Sequence, residues 1–324
     1  MTAAVDLTTR LGDLVMPTPV MTASGCGGPE LAAFVELSEL GAFVTRTVTL
    51  DPVAGAPMPR LVETPSGVLH GTGGQNAGLE SFLTTELPWL VRHGVRTVVS
   101  ISAGTLGECG ELARRVGASP GVAAVELRLG PTEQHTAGKA VHVVHRELPR
   151  GIPLLAKLPP RADPVGVAHA AVDNGANGLV VTAGVPGLVM DPATLRPALH
   201  GGGLLSGPAI HAIALRQVWD LHEAFPDVPV IGAGGVRTGA DALAMLASGA
   251  VAVQLGSVLF RDPSAPRRVA LELTDELGNR GIGSVADVVG RGHDGHQGHP
   301  VHPGHPDQGH QPHDERDLDN GRLP

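Results

Sequence analysis

Along the first 290 residues, short apolar runs alternate with longer stretches whose apolar residues recur every three or four positions. The runs cover residues 19–22, 42–45, 97–101, 122–127, 153–157, 178–182, 228–231 and 250–253. Several are continuously apolar and β-branched, which marks strands covered on both faces rather than one. Between most of them lie helix-like stretches at 29–40, 80–93, 107–116, 135–148, 164–174, 208–225 and 239–248. In Asn174-Gly175-Ala176 and Ser248-Gly249-Ala250 a helix ends at a glycine and the next strand begins at once. Strands alternating with helices predict a parallel sheet, and eight such units predict a (β/α)8 barrel, the TIM barrel. Two connections, 47–79 and 183–206, are too long to be simple links and are expected to cover the active-site face.

The last two units add chemistry to the pattern. Ile231-Gly232-Ala233-Gly234-Gly235-Val236 and Gln254-Leu255-Gly256-Ser257 each close an apolar run and each precede a helix-like stretch. Glycines there let backbone N–H groups approach an anion, and a helix N-terminus adds a favourable dipole. Paired turns after the last two strands of a barrel are a phosphate grip.

Composition narrows the classes of function. Of 324 residues, 42% are apolar and 17% charged, which is ample for a large core. Five Phe, two Trp and no Tyr make that core aliphatic and leave few platforms for stacking nucleic-acid bases. A formal charge of −9 argues further against a nucleic-acid partner. No apolar run approaches the ~18 residues of a membrane span, and no leader pattern opens the chain, so a cytoplasmic protein is expected. Cys26 and Cys109 give neither a disulfide framework nor zinc spacing. Residues 1–290 therefore form the expected barrel, and residues 291–324 differ in kind. This tail carries His293, His296, His299, His302, His305, His310 and His313 among Gly, Pro, Asp and Gln. Its low apolar content predicts a solvated, disordered segment, and its histidine spacing leaves weak metal binding as the alternative; no metal site is assigned.

A further series of motifs carries a family resemblance over residues 5–285. It comprises Ala23-Ser24-Gly25-Cys26, Thr49-Leu50-Asp51-Pro52, Pro59-Arg60-Leu61-Val62-Glu63-Thr64-Pro65-Ser66-Gly67, Gly74-Gln75-Asn76-Ala77-Gly78-Leu79-Glu80, Ala156-Lys157-Leu158 and Gly203-Leu204-Leu205-Ser206-Gly207-Pro208. With the two glycine turns, the chain resembles the catalytic subunit of class 1 dihydroorotate dehydrogenases, in the heteromeric branch whose partner is an iron–sulfur flavoprotein. The resemblance implies FMN as cofactor and such an electron-transfer subunit as partner, with a small-molecule substrate and a homo-oligomeric assembly. It implies that Ser24, Gly25, Arg46, Thr47, Lys157, Thr182 and Gly207 contact the flavin. Gly234, Gly235, Gly256 and Ser257 correspond to its phosphate cradle. Lys157 closes an apolar strand, where a cation would stabilise charge developing on a reduced ring.

The substrate end departs from the family pattern. After Val125-Glu126-Leu127 the chain reads Arg128-Leu129-Gly130-Pro131-Thr132-Glu133. Arg128 stands where an orotate-binding asparagine belongs, Pro131 where the cysteine base belongs, and Glu133 where a second asparagine belongs. His70 occupies another asparagine position, Ala183 and Gly184 replace an Asn-Thr/Ser pair, Ile101 replaces a flavin-side asparagine, and Arg46 replaces a lysine. The substrate-binding set carried over is Arg46, His70, Gly73, Gly74 and Arg128. Proline has no ionisable group, so the inherited general base is gone, a loss of about 10²–10⁴-fold. Of the other available bases, His70, His135, Glu133 and Cys26, His70 is the candidate, since the resemblance implies that its position faces the substrate pocket. The expected protein is an FMN-dependent oxidoreductase, acting on a CH–CH bond, with weak or absent turnover of dihydroorotate. The alternatives are a flavoenzyme with another, carboxylate-bearing substrate and a non-catalytic FMN-binding protein.

Overall fold

The computed structural model describes residues 5–130, 134–160 and 163–295. Pro131, Thr132 and Glu133 lie outside the described residues, as does the histidine-rich segment from residue 296 onward.

All eight apolar runs become strands of one parallel sheet: β1 Val20–Thr22, β2 Phe43–Val44, β3 Thr97–Ile101, β4 Val122–Arg128, β5 Leu154–Lys157, β6 Gly178–Val181, β7 Val230–Ala233 and β8 Ala250–Leu255. Each strand pairs with the next in sequence from β2 to β8, and β8 returns to β1. The seam between β1 and β2 is closed by Gly41 N–H donating to Val20 O (2.9 Å) and Val44 N–H donating to the Thr22 hydroxyl (2.9 Å). The expected (β/α)8 barrel is the observed fold.

Alternation along the strands divides the barrel into levels. Inward positions Val44, Val98, Ala124, Leu155, Val180 and Ile231 form a dry interior cluster. Leu11 and Met16, from the hairpin Thr9–Leu11/Leu14–Met16, join that cluster from the N-terminal end. Two residues further along the same strands, the alternation brings Arg46, Ser100, Glu126, Lys157 and Thr182 to the inward register, with Gln254 on β8. The core turns polar at its C-terminal level, and that change locates the chemistry.

Helices shield the outside, with some departures from the sequence pattern. The stretch expected at 29–40 splits into two 3-10 turns, Pro29–Ala33 and Leu37–Glu39, because the Glu36 carboxylate accepts the Ser38 N–H (3.4 Å) and so caps a new turn. The stretch expected at 80–93 widens into a π turn at Phe82–Glu86. Pro88 cannot donate to the carbonyl four residues earlier and its ring crowds that carbonyl, so the preceding turn opens. Ala265–Asn279 is an additional helix, legible afterwards in the four-residue spacing of buried Ala265, Val269, Leu273 and Leu277.

The two long connections meet each other. They supply the four-stranded antiparallel sheet made of Val185–Gly187, Gly203–Ser206, Gly67–His70 and Leu61–Thr64, in which His70 lies opposite Leu204 and Leu61.

The compact unit that contains the barrel runs to Asp294. His293 stacks on Trp219 with ring centroids 3.6 Å apart, and its Nε2 lies 3.2 Å from Ser248 O. Burial, and secondarily His293, hold His222 below the usual imidazole range. A histidine whose folded value is depressed stabilises the fold fully above its unfolded value near 6.5, and loses that contribution as pH falls below it. The protein is expected to lose thermal stability from about pH 7.5 to about pH 5, and His222→Gln to reduce that slope. An undiminished slope in the variant would show that His222 plays no part.

Candidate functional site

Between the polar level of the barrel and the covering sheet lies a cavity of about 660 Å³. Its lining includes Ser24, Gly25, Arg46, Thr47, Lys157, Thr182, Gly207, Gly234, Gly235, Gly256 and Ser257. It also includes His70, Gly73, Gly74 and Arg128. The residues carried over for cofactor and substrate contact therefore border one space, while Ile101 is not part of its lining.

At one end the cavity is walled by the turns after β7 and β8. Gly235 has φ +72°, and a Cβ there would meet His211 Cβ at 2.7 Å and Gly207 O at 2.9 Å. Only glycine fits this combination of left-handed backbone and contact. Ser257 opens the 3-10 turn Ser257–Phe260 opposite, and Gly207 comes within 3.5 Å of the Ser257 hydroxyl, measured from the Cβ position it lacks.

The floor is a hydrogen-bonded triangle drawn from three strands. Lys157 Nζ donates to Gln254 Oε1 (2.9 Å) and Glu126 Oε1 (3.4 Å), and Gln254 Nε2 donates to Glu126 Oε2 (2.8 Å). Glu126 is fully buried, so its charge depends on these two partners. Beside it the hydroxyls of Ser24, Thr47 and Ser100 form a chain with 3.1 Å spacings. The buried Thr182 hydroxyl has no hydrogen-bond partner among the described residues. An unpaired buried polar atom facing a cavity is a position for a ligand to satisfy.

The other end holds the departures noted in the sequence. His70 Nε2 lies 3.0 Å from the Ser206 hydroxyl across two paired strands of the cover. Burial first, then the positive charge of Arg128, lowers the His70 pKa, so the imidazole is neutral at physiological pH. Cys26 also borders the cavity, but burial pushes its thiol up to about 11 in spite of Lys157 and Arg46. It is a protonated thiol near neutrality and a poor base. His135 sits exposed in the helix Gln134–Glu147 and does not border the cavity. Glu133 and Pro131 fall outside the described residues. Ala183 and Gly184 line the cavity without side-chain donors or acceptors. Asn76 is a turn residue, its amide donating to Thr49 Oγ1 (2.8 Å) and Gly74 O (2.9 Å), while Gln75 accepts from Arg60 (2.6 Å).

Several participants were not singled out in the sequence: Glu126 and Gln254, which hold Lys157; Ser206, which holds His70; and Arg237 at the rim. Glu126 had a signal. A carboxylate inside an apolar strand that is buried on both faces must find a counter-charge, and the only lysine ending a neighbouring apolar run is Lys157.

Comparison with known proteins identifies the family. The family model described as dihydroorotate dehydrogenase matches residues 6–277. The chain is 37% identical over 303 residues to the dihydroorotate dehydrogenase B (NAD(+)) catalytic subunit of Geotalea daltonii, covering 89% of this chain and 98% of that protein. The subunit of the same name from Geobacter sulfurreducens is 38% identical over 298 residues, covering 88% and 97%. The crystal structure of the Eimeria tenella dihydroorotate dehydrogenase in complex with ferulenol superposes with a TM-score of 0.73 at 23% identity, covering 89% of each chain, a likeness of fold. With the family model spanning most of its length and these relatives beside it, the chain belongs to the dihydroorotate dehydrogenase family of flavin-dependent oxidoreductases, in the class 1 branch of heteromeric catalytic subunits.

Proposed function

We propose that this chain is an FMN-dependent oxidoreductase whose cofactor half is intact and whose substrate half is rebuilt, so that dihydroorotate is at best a poor substrate. The observation that carries this reading is the shared cavity. The glycine turn at Gly234 and Gly235, the Ser257 turn, the orphaned Thr182 hydroxyl and the Lys157 ammonium all open onto it. These residues fit FMN: a phosphate needs backbone and hydroxyl donors at one end, and a flavin ring needs a polar floor with a cation at its edge.

When bound, FMN supplies the two-electron acceptor for a hydride leaving the substrate. The remaining roles belong to the chain. Gly234, Gly235, Gly256 and Ser257 hold the phosphate, with Gly207 close beside them. Lys157, aimed by Glu126 and Gln254, holds positive charge at the ring edge, and Ser24, Gly25, Arg46, Thr47 and Thr182 frame the ring. His70, neutral and oriented by Ser206, is the group able to accept a proton from a substrate lying against Arg46, Arg128, Gly73 and Gly74. A second reading, a flavoenzyme with a different carboxylate-bearing substrate, is favoured by the arginines standing where neutral amides are expected.

The relatives are catalytic subunits of an NAD(+)-type enzyme, which supports an iron–sulfur flavoprotein as the electron-transfer partner. Among the described residues no helix is long and apolar enough to cross a membrane, and a cytoplasmic, homo-oligomeric enzyme is the reading we adopt.

Gly235→Val tests the cofactor half. The wild-type protein is expected to release close to one FMN per chain on denaturation, and the variant to retain less than about one tenth of that while remaining folded by circular dichroism, because the branched side chain enters the cradle. A wild-type protein that neither carries nor takes up FMN would refute the cofactor assignment.

A further inference from the structure

The charged groups around the cavity point to a more specific substrate class. Among the described residues its lining contains four basic side chains, Arg46, Arg128, Lys157 and Arg237, and no aspartate or glutamate. Two of the four are compensated. Lys157 is paired with Glu126 (3.4 Å), and Arg237 approaches Asp241 (3.9 Å) on the side of the phosphate turns. The other two are not. Neither Arg46 nor Arg128 makes an ion pair or a side-chain hydrogen bond among the described residues. Arg46 feels the Glu86 carboxylate across a neighbouring cavity but makes no ion pair with it.

Their placement separates them. Arg46 follows β2 and Arg128 ends β4, with β3 between them, and both continue the inward alternation of their strands. The phosphate turns lie after β7 and β8, across the ring from β3 and β4, so a group bound at Arg128 is not the phosphate held there. In the same lining, Ala183 and Gly184 offer no side-chain amide to a ligand.

We propose that the substrate end binds a dianion, a short dicarboxylate, with one carboxylate at Arg46 and the other at Arg128, beneath the His70–Ser206 pair. This rests on the cavity being the cofactor–substrate site proposed above. Each guanidinium can donate two parallel hydrogen bonds to a carboxylate, and the second pairing is what a monoacid lacks.

Isothermal titration calorimetry of the purified full chain, with whatever flavin it carries, tests this with succinate and glutarate against butyrate and dihydroorotate. At least one dicarboxylate is expected to bind about tenfold or more tighter than butyrate and than dihydroorotate, as one extra charge-assisted pair implies. Arg128→Gln is expected to erase that advantage while flavin content stays at the wild-type level. The advantage is also expected to shrink as salt rises, because both arginines are accessible. Equal affinity for butyrate and both dicarboxylates, tighter binding of dihydroorotate, or an advantage that survives Arg128→Gln would overturn the proposal. Calorimetry reads the anion directly, so absence of flavin from the protein would count against the cofactor reading and not against this one.

Discussion

Replacing Glu126 with alanine is expected to destabilise the barrel by about 3–5 kcal/mol, the cost of leaving one member of a buried ion pair without its partner. Glu126 is fully buried and takes hydrogen bonds from both Lys157 and Gln254. Without it, the Lys157 ammonium keeps only the Gln254 amide oxygen (2.9 Å) inside a low-dielectric floor. In a chain of this size the loss corresponds to a fall in Tm of roughly 10 °C. The double variant Glu126→Leu with Lys157→Met separates two roles. Apolar residues of similar volume can replace a buried pair at little cost, so stability is expected to return most of the way. Flavin binding is expected to remain weak, since the cation at the ring edge is gone. Denaturant unfolding measures the first effect and flavin content the second. A Glu126→Ala protein as stable as wild type would contradict the triangle as a buried, mutually dependent unit.

The second large effect concerns turnover. Dihydroorotate oxidation is expected to run about 10²–10⁴-fold below that of an enzyme with a positioned base, because Pro131 cannot take a proton. Pro131→Cys alone is expected to leave it there. The pocket would still present Arg128 in place of an amide, Ala183 and Gly184 in place of further hydrogen-bonding side chains, and His70. Any residual rate is expected to depend on His70. Burial and Arg128 lower its pKa, so the rate should hold to more acidic pH than it would with an ordinary imidazole base. Turnover restored to the family's level by the single cysteine, measured with an artificial acceptor, would show that the base alone was missing.

Much of the fold was legible because parallel strands buried on both faces write themselves as continuous apolar runs, as Thr97–Ile101 and Gly178–Val181 do. The phosphate turns were legible for a similar local reason, glycines at Gly234 and Gly235 where side chains do not fit. What could not be read was action at a distance. His70 pairs with Leu204 through two connections that carry no strand alternation of their own, and only their pairing brings Ser206 to the imidazole. The triangle of Glu126, Lys157 and Gln254 joins the paired strands β4 and β5 to β8, which comes opposite them only when the barrel closes. Local rules also failed where one residue overrode a periodic pattern, as at the π turn ahead of Pro88.

The central claim, an intact flavin site joined to a rebuilt substrate site, is tested most directly by an anaerobic visible spectrum of the purified protein before and after dihydroorotate. A bound-flavin spectrum that dihydroorotate leaves unchanged for many minutes is the predicted result. Bleaching of that spectrum within seconds, or a protein unable to bind flavin at all, would contradict it.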